Sequence, residues 1–283
     1  MIIDGTKIAK GIEMRITEAL RHTRRRPGLA FVLVGENPAS KTYIRMKQKK
    51  CEEVGILSID REFKESLSEE ALLNEIDLLN ANPEVDGILV QLPLPAHIST
   101  TRVMERITPF KDVDGFHPLN IGKMFLGELD GFLPCTPHGI HILLKHAEVP
   151  LQGKHVVILG RSNIVGKPLA AILMQKNRDC NATVTVANSF TENLPALCRS
   201  ADILVAAIGS PQFVRKEMVK KGAVVIDVGI NRIQSADGKF RIVGDVAFDE
   251  VAPLCSQITP VPGGVGPMTI AMLLANTLLS YQR

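Results

Sequence analysis

The sequence has few of the features that mark export, membrane insertion or metal binding. No stretch approaches about eighteen uninterrupted apolar residues, and the N-terminus lacks a basic-then-apolar leader. The five cysteines show no C-x-x-C spacing, which argues against a zinc site or a disulfide framework. They are Cys51, Cys135, Cys180, Cys198 and Cys255. We therefore expect a cytoplasmic protein with neither a metal site nor a membrane segment.

The sequence also lacks a large excess of either positive or negative charge. A net charge of +3 over 283 residues is too small for a nucleic-acid-binding surface, although Arg21–Arg26 and Lys47–Lys50 are locally basic. The run at 21–26 fits a solvated helix end, where cations suit the helix dipole. The length suits two domains, and the 45% hydrophobic content is ordinary for a globular protein.

Apolar periodicity predicts helices alternating with buried strands along the whole chain. Predicted helices cover 7–25, 38–54, 68–80, 99–107, 136–146 and 270–279, and predicted strands cover 29–35, 56–63, 85–91, 155–159, 183–187, 203–207 and 224–228. This alternation predicts an α/β protein of two domains, of which the second is a Rossmann-type, doubly wound parallel sheet. We place the domains at residues 1–118, completed by a C-terminal helix at 267–283, and at residues 119–266.

The stretch Lys154–Ala170 changes from a buried strand to a helix at a glycine turn. Gly160 permits close approach to a phosphate, and the helix N-terminus beyond it offers unpaired N–H groups. Ser162 stands where the standard fingerprint G-x-G-x-x-G has its second glycine, with Gly166 as the last. By itself the pattern also fits a packing corner, but the surrounding strands and helices favour dinucleotide binding.

The residues after the next strand indicate which dinucleotide. An acidic side chain that would hold the ribose of NAD is missing from 186–191, whereas Ser189 can donate a hydrogen bond and Arg161 carries a fixed positive charge. These features favour NADP. A polar-loop serine and an ordinary surface arginine are the alternative.

Four polar residues of the first domain are candidates for chemistry. Tyr43 and Lys47 lie four apart on one helix face, where a lysine withdrawn from water could serve in acid–base catalysis or simply form a surface pair. Gln91 ends a buried strand, and Asp114 lies in a turn-rich segment. An amide and a carboxylate suit a heterocycle with an exocyclic amine. The Y-x-x-x-K spacing also occurs in short-chain dehydrogenases, but there the nucleotide turn precedes the tyrosine, so we reject that interpretation.

Five motifs in this order carry a resemblance over essentially the whole chain: Tyr43–Lys47, Val90–Pro95, Lys111–Gly115, Gly160–Pro168 and Pro262–Thr269. Pro134–Pro137 and Asp227–Asn231 add to it. The chain resembles the bifunctional methylenetetrahydrofolate dehydrogenase/methenyltetrahydrofolate cyclohydrolase family. The resemblance implies that NADP takes hydride from 5,10-methylenetetrahydrofolate and that water then opens the methenyl product to 10-formyltetrahydrofolate.

The resemblance also implies residue roles. Lys47 is the central catalytic residue, chiefly for hydrolysis; Tyr43 stacks on the folate, Gln91 tunes Lys47 and Asp114 anchors the pterin. The implied cofactor positions are Gly160, Arg161, Ser162, Ser189 and Ile230. The implied substrate positions are Tyr43, Lys47, Val90, Gln91, Leu92, Asp114, Pro262, Gly263, Gly264, Val265 and Gly266.

The chain departs from the family pattern beside Ser189, where Asn188 and Phe190 replace a common histidine and basic residue. Binding of a 2′-phosphate would then depend on Arg161 and Ser189. The resemblance further implies a homodimer formed through the nucleotide-binding domains. Two alternatives remain open: a dehydrogenase without efficient ring opening, and a non-enzymatic NADP-sensing protein. Either basic run could attract the glutamate tail of a folate.

Overall fold

The computed structural model describes residues 1–128, 130–234, 238 and 240–283. Its chain forms two compact units. The first unit comprises Lys10–Cys135 and Ile270–Arg283, and the second comprises Met1–Ala9 and Thr136–Thr269. The helices α1 and α10 at the two chain ends each contribute residues to both units.

The first unit is built around a parallel sheet of three strands in the order β2-β1-β3. Every residue of β1 is buried, which explains its uninterrupted apolar sequence. Helix α3 begins where the Ser68 hydroxyl accepts a hydrogen bond from the Ala71 N–H (3.2 Å), with two glutamates in its first turn. The elements up to residue 126 are α1 Gly5–Leu20, β1 Gly28–Val34, α2 Pro38–Val54, β2 Leu57–Phe63, α3 Glu69–Ala81, β3 Gly87–Val90, α4 Thr100–Arg106 and α5 Pro118–Leu126.

The second unit contains a five-stranded parallel sheet in the order β10-β7-β6-β4-β5, and an antiparallel pair, β8 and β9. Short 3-10 helices lie at Lys216–Met218 and Ala252–Leu254. The remaining elements are α6 Cys135–His146, β4 His155–Leu159, α7 Gly166–Leu173, β5 Thr183–Ala187, α8 Leu194–Arg199, β6 Ile203–Ala206, β7 Val224–Asp227, β8 Asn231–Gln234, β9 Phe240–Val243, α9 Phe248–Val251, β10 Gln257–Ile258 and α10 Val265–Tyr281.

The order of the five strands determines where a ligand would bind in the second unit. The central strand β4 pairs in parallel with β5 on one side and with β6 on the other. Successive strands are therefore added on opposite sides of β4, which makes β4 the point where the strand order reverses. Open α/β sheets bind ligands beyond the carboxyl ends of the strands at such a point. Gly160 follows β4 directly.

The predicted α/β class and the two parallel sheets are confirmed. Predicted strands 155–159 and 183–187 match β4 and β5 residue for residue. Several elements were not predicted: helix α5, which begins at a proline beside His117, the β8–β9 pair, the short helices α8 and α9, and strand β10. Helix α10 begins at Val265, five residues before the predicted start at Ile270.

The division of the chain differs from the boundary that we placed after residue 118. Asn120 donates hydrogen bonds to the Pro109 carbonyl (3.0 Å) and the Asp112 carboxylate (2.8 Å), and the Cys135 thiol donates to the Val113 carbonyl (3.3 Å). These bonds hold 119–135 in the first unit. At the N-terminus, Met1 and Ile3 hydrogen-bond with Ile258, and residues 1–9 belong to the second unit.

The C-terminal helix completes the first unit, as expected. Its Asn276 amide donates to the carbonyls of Val113 (2.8 Å) and Leu133 (3.1 Å), and Ser280 donates to the carbonyls of Asp86 and Phe110. Within the described residues, no helix has the length and apolar character required to cross a membrane.

Candidate functional site

Tyr43 and Lys47 share one face of α2 because four residues make about one helical turn. The Lys47 Nζ atom lies 4.5 Å from the centroid of the Tyr43 ring, within the range of a cation–π interaction. Lys47 is 5% exposed, which is rare for a lysine. Burial favours the uncharged form of an amine, so Lys47 differs in its proton affinity from a lysine on the protein surface.

Gln91 follows the last residue of β3, so the sheet fixes its position next to α2. The Lys47 amine donates a hydrogen bond to Gln91 Oε1 (3.2 Å), and Gln91 Nε2 donates to the Leu92 carbonyl (2.7 Å). The second bond orients the amide so that its oxygen faces the lysine. Of its neighbours, Val90 is buried and Leu92 is half-buried.

Asp114 is the charged partner of Lys47. Burial lowers the pKa of Lys47, and the negative charge of Asp114 acts in the opposite direction. Burial raises the pKa of Asp114, although its surface is only partly covered, and Lys47 opposes that increase. The structure thus brings together the four residues that the sequence singled out in this unit: Tyr43, Lys47, Gln91 and Asp114.

Two further residues support this cluster, and sequence reasoning gave them no role. Burial raises the pKa of Cys135 well above its usual value, so its thiol stays protonated, and the interaction of this thiol with the Asp114 carboxylate lowers the pKa of Asp114. Asp112, 1% exposed, accepts from the N–H groups of Phe116 (3.1 Å) and His117 (2.8 Å) and so shapes the loop that carries Asp114. Both had a signal in the sequence, since Asp112 lies in the Lys111–Gly115 motif and Cys135 lies in the Pro134–Pro137 motif.

The nucleotide turn of the second unit depends on the absence of side chains at two glycines. Gly160 has φ +111°, and a Cβ there would lie 2.2 Å from the Ala207 carbonyl oxygen. A Cβ on Gly166 would lie 2.1 Å from the Gly160 carbonyl oxygen. Glycine at both positions therefore allows the turn to close tightly between β4 and α7.

Ser162 organises the N-terminus of α7. Its hydroxyl accepts hydrogen bonds from the N–H groups of Val165 (3.1 Å) and Gly166 (3.4 Å). Among the described residues, the N–H groups of 161–164 have no hydrogen-bond partner. Unpaired donors preceding a helix N-terminus suit a phosphate group, so the turn fits a dinucleotide.

The residues expected to select the dinucleotide lie beside this turn. The guanidinium of Arg161 lies 5.9 Å from the centroid of the exposed Phe190 ring, and the described residues offer it no ion pair. Asn188 Oδ1 accepts from the Phe190 N–H (3.0 Å), and Ser189 between them is exposed. An arginine without a carboxylate partner, next to an exposed hydroxyl, fits a 2′-phosphate.

The other predicted positions of this unit lie on two loops. Ile230, 60% exposed, follows β7. The loop Pro262–Gly266 precedes and begins α10, and Gly263 has φ +105°. Gly264 and Val265 are buried, whereas Pro262 is exposed. A Cβ on Gly266 would lie 3.8 Å from Ile230 Cδ1, which places these two loops next to each other.

Comparison with known proteins identifies the family. Residues 3–114 match the catalytic domain of the tetrahydrofolate dehydrogenase/cyclohydrolase family, and residues 134–283 match its NAD(P)-binding domain. The bifunctional protein FolD of Protochlamydia amoebophila is 56% identical over 286 residues, covering 100% of this chain and 98% of that protein.

Two solved structures agree over the same length. The bifunctional FolD methylenetetrahydrofolate dehydrogenase/cyclohydrolase of Campylobacter jejuni has a TM-score of 0.94 at 47% identity, covering 100% of this chain and 98% of that one. The FolD of Trypanosoma brucei, complexed with NADP cofactor and an inhibitor, has a TM-score of 0.93 at 40% identity, with coverages of 100% and 97%. This chain therefore belongs to the tetrahydrofolate dehydrogenase/cyclohydrolase family.

Proposed function

We infer that this protein oxidises 5,10-methylenetetrahydrofolate with NADP and hydrolyses the product to 10-formyltetrahydrofolate. The observation that carries the inference is the buried Lys47 amine, hydrogen-bonded to Gln91 and under the electrostatic influence of Asp114, in a chain of this family. The first step transfers hydride from the methylene bridge to NADP and yields the methenyl cation and NADPH. The second step adds water to that cation, releases a proton and opens the ring.

Lys47 is the group that would serve the hydrolytic step. Addition of water to the methenyl carbon requires a proton acceptor, and burial favours the neutral amine that can accept one. The hydrogen bond to Gln91 Oε1 fixes the amine in place, and the negative charge of Asp114 favours its protonated form. Burial and Asp114 thus act in opposite directions on the proton affinity of Lys47, the group that would take up and return the proton.

Asp114 and Tyr43 would orient the folate. The partly exposed Asp114 carboxylate can accept hydrogen bonds from the exocyclic amine and ring N–H of a pterin, while its other neighbours hold it in place. The ring of Tyr43, half-buried, offers an aromatic face for stacking. We assign Val90 and Leu92 to substrate binding and, from the family resemblance, residues 262–266 as well.

NADP, when bound, supplies the hydride acceptor. We propose that the second unit holds it with the unpaired N–H groups before α7 on the pyrophosphate and with Arg161 and Ser189 on the 2′-phosphate. Gly160, Ser162 and Ile230 shape its surroundings. The ring of Phe190, at the position where the resemblance leads one to expect a basic residue, lies 5.9 Å from the Arg161 guanidinium, within the range of a cation–π interaction.

An absorbance assay with two quench conditions tests the function. Purified protein acts on 5,10-methylenetetrahydrofolate with NADP or NAD, and methenyl product is measured before and after an acid quench that recloses 10-formyl product. We expect NADPH to form and methenyl to appear only after acid. Methenyl product present before the acid quench would instead indicate a dehydrogenase without ring opening. Absence of turnover with both cofactors would indicate an NADP-sensing protein.

The Lys47→Met variant tests the role of the lysine. We expect it to retain its fold by circular dichroism and its affinity for NADPH, and to lose ring opening measured on added methenyltetrahydrofolate. Lys49→Met is the matched control, because Lys49 lies on the same helix and is exposed. Retained ring opening in Lys47→Met would contradict the assignment.

We propose a homodimer that forms through the second unit. Support comes from its β8–β9 pair, where Phe240 is 58% exposed and Ile242 is 42% exposed. Light scattering after size exclusion should give about twice the chain mass of 30.9 kDa, and Ile242→Asp should reduce it to the chain mass. A dimer unaffected by that substitution would place the interface elsewhere.

We propose that a polyglutamate tail of the folate meets Arg24 of the run 21–26. Other cations of the two basic runs are engaged: Arg25 pairs with Asp86 (2.7 Å), and Lys50 pairs with Glu13 (3.0 Å) and Glu53 (2.8 Å). The KM for polyglutamylated substrate should then rise with salt more than the KM for monoglutamate, and Arg24→Ser should remove the difference. If the two KM values depended equally on salt, both basic runs would be ordinary solvated surface without a role in substrate binding.

We propose that the protein acts in the cytoplasm, where the thiols of Cys51 and Cys135 near Lys47 stay reduced. Fractionation of cells that express the protein, with immunodetection in each fraction, tests the location.

A further inference from the structure

The second unit contains a carboxylate whose hydrogen bonds all go to the two chain segments that follow β6 and β7. Asp245 is 0% exposed. Its Oδ2 atom accepts from the N–H groups of Ile208 (2.8 Å) and Gly209 (3.0 Å), and its Oδ1 atom accepts from the Asn231 side-chain amide (2.9 Å). One buried side chain thus connects the segments that follow β6 and β7.

These segments border the nucleotide turn. A Cβ on Gly160 would lie 2.2 Å from the Ala207 carbonyl oxygen and 3.6 Å from Ile208 Cγ2, so the chain after β6 packs directly against the turn. Asn231 follows Ile230, which is exposed after β7. Both segments lie at the carboxyl ends of parallel strands, where ligands bind in this architecture.

A second buried carboxylate fixes the backbone of the first. Asp227, 2% exposed, accepts from the N–H groups of Asp245 (2.8 Å), Val246 (3.0 Å) and Gly229 (3.0 Å). A Cβ on Gly244 would lie 1.8 Å from Asp227 Oδ2, so glycine is required for this approach. Burial raises the pKa of Asp227 to about 6, and the neighbouring Asp245 acts in the same direction.

Keeping two carboxylates together out of water is costly, and the described residues place no cation on either. Backbone hydrogen bonds at Val214 and Ala247 already hold the strand-like segment around Asp245, independently of its side chain. The side chain of Asp245 is not needed for these backbone hydrogen bonds. It instead holds the Ile208–Gly209 turn and Asn231 in position.

We propose that Asp245 is a positioning residue for the dinucleotide, holding the Ile208–Gly209 turn and Asn231 so that the loops after β6 and β7 are preformed for the cofactor. The inference rests on the proposed function, since it takes the second unit to bind NADP. Asp245 touches loops and not the reacting atoms, and acts through them.

Asp245→Asn tests the proposal on the full chain, with Asp249→Asn as the matched control because Asp249 is exposed in the same unit. An amide oxygen can satisfy only one side of the site, and its NH2 group faces N–H donors on the other. We expect the Kd for NADPH, followed by its fluorescence, and the KM for NADP to rise at least tenfold. Ring opening of added methenyltetrahydrofolate, measured without NADP, should stay within twofold of the wild type.

Asn231→Ala is a milder second variant, since it removes only the contact to Oδ1, and it should weaken NADPH binding by a few-fold with ring opening unchanged. Unaltered NADPH affinity in both variants would overturn the proposal. A parallel loss of ring opening and NADPH binding would also overturn it, because it would show general structural damage. Absence of NADPH binding by the wild type would instead refute the proposed function itself.

Discussion

The protonation of Lys47 depends on Asp114, and this dependence has a definite sign. Burial lowers the pKa of Lys47, and the charge of Asp114 raises it. Removing that charge in Asp114→Asn should therefore lower the pKa of Lys47 further. If neutral Lys47 accepts the proton from water, the pH at which the kcat for ring opening is half-maximal should fall below the wild-type value. The measurement is the pH profile of kcat at saturating methenyltetrahydrofolate.

Asp77→Asn is the control for this profile, because Asp77 is an exposed carboxylate of the same unit, paired with Arg106. Its profile should match the wild type. For a variant with too little turnover, competitive acetylation of lysines across pH, read by peptide mass spectrometry, reports the pKa of Lys47 directly. An upward shift in Asp114→Asn would contradict the electrostatic assignment.

Asp112 links the loop that carries Asp114 to the stability of the first unit. Burial is the main cause that raises the pKa of Asp112 from 3.8 to about 6. The folded protein thus binds this proton more tightly than the unfolded chain, and the free energy of unfolding falls as pH rises through that window. A shift from 3.8 to about 6 corresponds to about 3 kcal/mol.

Asp112→Asn should remove this pH dependence. Relative to the variant, the wild type should lose about 2 to 3 kcal/mol of unfolding free energy between about pH 4 and pH 7, on top of a constant cost of about 1 to 3 kcal/mol for the misplaced amide. Urea titrations at several pH values measure both quantities. The opposite sign is expected for Asp77→Asn, since Arg106 lowers the pKa of Asp77. Parallel pH curves for wild type and Asp112→Asn would refute the argument.

At the scale of the element, the strand–turn–helix unit β4–α7 depends on Gly160. Gly160→Ala would force a Cβ to within 2.2 Å of the Ala207 carbonyl oxygen, at a φ of +111° that alanine rarely adopts. We expect at least a tenfold loss of NADPH affinity and of dehydrogenase kcat/KM, with ring opening retained. NADPH fluorescence titration and the two activity assays measure this.

Gly153→Ala is the matched substitution in the same unit. Gly153 also has a positive φ, +73°, but a Cβ there meets nothing within 4 Å. It should cost about 1 to 2 kcal/mol of stability from the backbone conformation alone, without loss of NADPH affinity. Equal loss of affinity in both variants would show that strain, and not the closure of the turn, is responsible.

Local sequence signals predicted those elements whose causes are local. Strands β4 and β5 were predicted with their observed ends because short apolar runs stop at a glycine or a polar residue, and α3 begins at Glu69 because its N-cap, Ser68, directly precedes it in the sequence. Helix α5 was missed because its stability comes partly from Asn120, whose partners lie on the preceding loop.

The same distinction separates the predicted from the missed residues of the site. Tyr43 and Lys47 could be paired from helical spacing, whereas Gln91 and Asp114 required the resemblance to give them roles. Asp245 had no local signal, since its partners lie 14 to 37 residues away along the chain. Long-range hydrogen bonds of this kind appear only once the fold is known.

At the scale of the whole molecule, the division into two units predicts that bound NADPH stabilises mainly the second unit. A ligand that binds only the folded state stabilises it by about 2.7 kcal/mol when present at about one hundred times its Kd. Hydrogen exchange measured by mass spectrometry should therefore show protection of peptides from Thr136–Thr269, strongest across Gly160–Gly166 and 188–190.

The variants make this prediction specific. Lys47→Met should retain the full protection pattern, because Lys47 lies in the first unit, whereas Gly160→Ala should show almost none at the same NADPH concentration. Gly153→Ala should resemble the wild type, since its side chain meets no other atom. Protection that was strongest in α2 and the loop at Asp114, rather than around Gly160, would mean that the dinucleotide binds the first unit and that the cofactor residues were assigned to the wrong part of the chain.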